Sequence, residues 1–69
     1  MSRVLLYTRD GCHLCEEAAG LLDGWGVGYE TAWDDRYVLR IPVIEVDGVV
    51  VAEAPIDPRA LRRALKQLL

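Results

Sequence analysis

The chain has 69 residues, 52% of them apolar, and a net charge of −3 from eight basic and eleven acidic groups. That is room for one domain with a thin margin of stability, because domains of this size bury only ~60% of their extended-chain surface. The acidic balance offers no basic patch of the kind a phosphate backbone requires, which sets nucleic acid aside as a partner.

Met1-Ser2-Arg3 runs straight into a short apolar stretch, Val4 to Tyr7, far below the length of a signal-peptide core or a membrane span. A cytoplasmic protein without membrane contact is the simplest expectation. Arg3 to Thr8 reads as a buried strand, its near-continuous apolar run being of the type seen when both faces are covered. Asp10-Gly11 breaks it. From Cys12 onward Leu14, Ala18, Leu21, Leu22 and Trp25 recur at helical spacing. Glu16 and Glu17 suit the first turn, and Gly24 or Gly26 can stop the helix.

Val27, Tyr29 and Thr31 alternate with Gly28 and Glu30, as a strand with one partly exposed face does. Trp33 to Arg40 has no clear pattern. Pro42 to Val46 and Val49 to Ala52 flank Asp47-Gly48, a strong hairpin signal because both turn residues tolerate positive φ. Asp57 caps a last helix that opens at Pro58, where a missing N–H costs no bond. Its apolar stripe runs from Ala60 and Leu61 to Leu68 and Leu69. Arg59, Arg62, Arg63 and Lys66 read as a solvated face that could meet an acidic partner. The order is βα, β, ββ, α, one sheet with helices against it, without repeats or linkers.

Cys12 and Cys15 are the only cysteines. A Cys-x-x-Cys pair at a helix start places two sulfurs within bonding reach. The free N–H groups and the positive end of the helix dipole there favour an anion, which biases the first thiol toward thiolate, the attacking species in thiol–disulfide exchange. Cys12 is then the nucleophile and Cys15 the resolving thiol. Two other readings stay open. A zinc site needs four ligands as a rule, and two cysteines with one histidine, His13, fall short unless subunits share them. A static disulfide closing so short a loop would stabilise little. His13 either tunes the adjacent thiols or points to solvent. Tyr7 either lines the active-site groove or ends a core strand, and Trp33, which fits no buried stripe, is a candidate contact residue.

Leu6 to Ala18, with Gly11-Cys12-His13-Leu14-Cys15 at its centre, followed by Arg40-Ile41-Pro42-Val43-Ile44, resembles the glutaredoxin-like branch of the thioredoxin superfamily. Small bacterial proteins with a Gly-Cys-His-Leu-Cys active site are similar over nearly the whole chain. The resemblance implies an α/β thioredoxin/glutaredoxin-like fold. Its four-stranded mixed sheet would have the order 2-1-3-4, with the first three strands parallel and the fourth antiparallel, two main helices, and a short or absent middle helix. It implies a cis Pro42 facing the cysteines, with the backbone of Ile41 binding an extended substrate. Arg9 stands where such proteins carry a lysine that holds the thiolate and the glutathione carboxylate.

The activity implied is thiol–disulfide oxidoreduction by a monomer with no bound cofactor. It would act on disulfide-containing proteins or glutathionylated substrates, with glutathione or a reductase as electron donor. Two departures stand out. The Gly-Gly pair of glutathione-binding members is replaced by Val50 to Asp57, which puts glutathione in doubt as the reductant. The connection Ala32 to Ile41 supplies ten residues, where a parallel crossover needs about a dozen or more. The alternative function is a non-catalytic module holding a metal or iron–sulfur cluster through Cys12 and Cys15, between subunits.

Overall fold

The computed structural model describes residues 2–69. Strand β1 (Val4–Tyr7) leads into helix α1 (His13–Gly24), then β2 (Glu30–Ala32), a single 3-10 turn (Asp35–Tyr37), the hairpin β3 (Val43–Val46) and β4 (Val49–Glu53), and helix α2 (Pro58–Leu68). The four strands form one sheet in the order β2-β1-β3-β4. The middle helix is reduced to the 3-10 turn. Among the described residues no helix is long and apolar enough to cross a membrane.

The expectation that the first three strands run parallel is corrected at β3. β1 and β2 are parallel, but β3 runs antiparallel to β1, with Tyr7 opposite Val43 and Val4 opposite Val46. The reason is the length of the connection. After β2 the chain stands at the same end of the sheet as the end of β1, and the run to Pro42 is shorter than the dozen or more residues, roughly, that a parallel crossover takes. It turns instead at that end and comes back beside β1. β4 is antiparallel to β3, with a register shift between Ile44 and Glu45.

Period-two alternation then sorts the side chains. Val4 and Leu6 of β1 and Ile44 and Val46 of β3 face Ala18 and Leu22 of α1 and Leu61 and Leu65 of α2, all buried in one cluster. Both helices therefore cover one face. On the other, Tyr7, Val43 and Tyr37 form a smaller cluster with Leu5, Ala32 and Ile41 against it. Val27 and Tyr29, read as part of a strand from Val27 to Thr31, pack against the main core ahead of the shorter β2.

Candidate active site

The cysteine turn follows from its local residues. β1 ends at Tyr7, and Gly11 adopts φ +77°, a left-handed conformation that glycine enters without a Cβ penalty. The N–H of Cys12 donates to the carbonyl of Arg9 at 3.4 Å, closing the turn. Cys12 is extended, at φ −87° and ψ 104°, and caps α1: its sulfur accepts the N–H of Cys15 at 3.1 Å, in the place usually taken by a serine or aspartate oxygen. The two Cα atoms are 5.2 Å apart and the sulfurs are bonded, so the structure holds the oxidised pair. Cys12 is half-buried, while Cys15 is 2% exposed and packed under the helix start. An incoming group reaches Cys12 and not Cys15.

The surrounding residues fall at one end of the sheet. The N–H of Thr8 donates to the carbonyl of Ala32 at 3.0 Å, which holds the end of β1 beside the end of β2. From there the Arg9 guanidinium lies 6.0 Å from the centroid of the Trp33 ring. Trp33 is 46% exposed, and its indole N–H donates to Asp35 Oδ1 at 3.0 Å. Sequence reading named Arg9 and Trp33 separately and missed their approach, which joins residues far apart in the chain. The His13 imidazole is turned to solvent, 3.7 Å from Glu17 one turn on. Leu14 is 51% exposed and stands at the rim.

Pro42 is buried, and the Ile41–Pro42 peptide is cis. The N–H of Ile41 is already donated to the carbonyl of Tyr37 at 3.0 Å, so what Ile41 offers a substrate strand is its carbonyl. Leu14 and Pro42 open onto a groove of about 470 Å³ between α1 and the segment joining β4 to α2.

Tyr7 does not line that groove. Alternation along β1 sends Leu6 to the helices and Tyr7 to the opposite face, where its hydroxyl donates to Glu45 Oε1 at 3.1 Å. The hydroxyl of Tyr37 donates to Glu45 Oε2 at 3.0 Å, and the two rings meet edge to face at 4.7 Å. Glu45 is 8% exposed and both its oxygens are satisfied. Burial, then the bond to Glu45, raises the Tyr7 hydroxyl above the usual phenol range. The bond to Glu45, then burial, does the same to Tyr37. Sequence reading missed this trio, because a glutamate in a strand looks like a solvent-facing residue until the fold supplies two phenols.

Among the described residues no group of three His, Cys, Asp or Glu side chains converges to hold a metal ion. What the turn can do chemically is form and break one disulfide at a helix start.

Residues 3–66 match the family described as Glutaredoxin-like domain (DUF836). An X-ray structure of the Northeast Structural Genomics target protein XcR50 from X. campestris is similar, with 32% identity and a TM-score of 0.78 over 93% of this chain and 96% of that one. No curated protein matches at a significant level. With its thioredoxin-like α/β fold, its cysteine pair at the start of α1 and a match over residues 3–66, the chain belongs to the glutaredoxin-like family.

Proposed function

We propose that the protein is a cytoplasmic thiol–disulfide oxidoreductase in which Cys12 attacks and Cys15 resolves. The observation that carries this reading is the asymmetry of the pair: Cys12 is the sulfur within reach and the one that accepts an amide N–H, while Cys15 is buried behind it. In the reduced protein the Cys12 thiolate attacks one sulfur of a substrate disulfide, a mixed disulfide forms, and the first substrate thiolate leaves. The Cys15 thiolate then attacks Cys12 sulfur, releasing the second substrate thiolate and leaving the Cys12–Cys15 bond. Two electrons pass to the substrate, whose thiolates take up two protons. An external thiol or a reductase must return the pair to its reduced state. Arg9, beside the turn, favours the anionic sulfur electrostatically. The carbonyl of Ile41 binds the substrate backbone. The protein works as a monomer and needs no bound cofactor.

The test is turnover of a model disulfide by the wild type and two variants. Cys12→Ser abolishes reduction. Cys15→Ser accumulates a protein–substrate mixed disulfide, detectable by mass spectrometry under non-reducing conditions. Iron or zinc at about half an equivalent per chain in freshly purified protein, with no turnover, would overturn the reading in favour of a module bridging two subunits.

A further inference from the structure

The groove that opens at Leu14 and Pro42 runs down the flank of α1, with Leu21 on the helix side and Pro55 and Ile56 on the side of the segment before α2. Glu17 is the one ionisable side chain on its wall. At its far lip, the start of α2 offers an anion two fewer N–H groups than a bare helix end would. Asp57 Oδ1 already accepts the N–H of Arg59 at 3.0 Å, and Pro58, at the first helical position, has no N–H to give. A carboxylate entering here would meet Glu17 and find no lysine or arginine among the lining residues. An apolar side chain would find alkyl and proline surfaces in a groove that opens at Leu14, the residue before Cys15.

Resting on the redox reading above, we infer that this groove selects the substrate: it takes an apolar side chain flanking the cysteine of a disulfide-containing polypeptide, and it disfavours glutathione, whose two carboxylates and single ammonium give it a net negative charge. The covalent step is the one already written, with the Cys12 thiolate attacking the disulfide and the flanking side chain lodged between α1 and Ile56. Apolar discrimination in such a pocket is worth about 10- to 200-fold in rate.

The experiment is single-turnover oxidation of the reduced protein by three probes: the symmetric disulfide of a Leu-flanked cysteine peptide, its Gln-flanked counterpart, and oxidised glutathione. The Leu-flanked disulfide reacts about tenfold faster than either of the others, and Leu14→Gln brings the ratio close to one. Leu14 is half exposed, so that change leaves the core alone. Ile56→Gln, on the opposite wall, gives the same loss of preference from an independent position. Comparable rates for all three probes, faster reaction with glutathione, or a preference that survives both variants would overturn the inference while leaving the redox reading intact. Failure to react with any of the three would overturn the redox reading, and the inference with it.

Discussion

The backbone N–H of Cys15 points at the sulfur of Cys12 across 3.1 Å, so in the proposed mechanism the resolving residue also holds the attacking one. In the reduced protein the same donor meets a sulfur at the positive end of α1, and charge on that sulfur is favoured. Alkylation of Cys12 in the Cys15→Ser variant therefore stays fast well below pH ~8.5, the value at which an ordinary thiol loses its thiolate. A rate that rises only near that pH would mean that the helix start does not activate Cys12. The variant keeps the amide that matters, because the donor is backbone and not side chain.

In the proposed mechanism Arg9 acts through charge from an exposed position, with its guanidinium 6.0 Å from the centroid of the Trp33 ring. An exposed charge acting on a neighbour is worth at most about 1 kcal/mol, which makes the expected effect of Arg9→Ala a two- to fivefold loss of alkylation rate near pH 6, roughly. The loss shrinks as salt is raised from 0.01 to 1 M, roughly, because the Debye length contracts over that range. Arg9→Lys keeps most of the rate. Equal losses in Arg9→Lys and Arg9→Ala would locate the contribution in the guanidinium's approach to Trp33 and not in the charge.

Glu45 with Tyr7 and Tyr37 is a stability element on the face that the helices leave bare. Both phenols ionise at higher pH in the folded chain than in the unfolded one. The sign follows: their contribution is fully present below pH ~10, where the unfolded phenols begin to ionise, and is lost as pH climbs through the folded values. Urea midpoints measured between pH 8 and 11.5, roughly, fall at the alkaline end in the wild type. Removing one donor, in Tyr7→Phe, leaves a buried carboxylate oxygen unpaired and lowers the unfolding free energy by about 1–3 kcal/mol at neutral pH. It also flattens the alkaline fall.

The parts of this structure legible in the sequence are those set by neighbouring residues. Cys12 to Cys15 at a helix start, Asp47-Gly48 between two strands, and Asp57-Pro58 ahead of an apolar stripe each declare themselves within a few positions. The strand order came with the family resemblance. What stayed hidden depends on contacts across the chain. Glu45 is buried only because Tyr7 and Tyr37, distant in sequence, meet over it. The direction of β3 was implicit in the ten residues from Ala32 to Ile41, whose shortness fits a return beside β1 better than a parallel crossover. The groove joins Leu14 to Ile56, two apolar residues with no local sign that they share a wall.

The hairpin turn separates stability from chemistry. Asp47 and Gly48 both have positive φ, +51° and +84°, as a two-residue hairpin loop matched to strand twist requires. Asp47 also ties the turn to the start of β1: its Oδ1 accepts the N–H of Arg3 at 2.7 Å, and its own N–H donates to the carbonyl of Arg3 at 2.9 Å. Gly48→Ala places a Cβ in the left-handed region at a cost of about 1–2 kcal/mol. For a domain of this size the melting temperature falls by roughly 4–16 °C. Asp47→Gly keeps the backbone conformation and loses only the side-chain bond to Arg3, so its fall is the smaller. The turn lies where Val46 pairs with Val4, at the end of β1 away from the cysteines. Neither variant therefore changes the pH profile of Cys12 alkylation at a temperature where both remain folded. A displaced profile would show that the packing of the β3–β4 hairpin, and not the cysteine turn alone, sets the reactivity of Cys12.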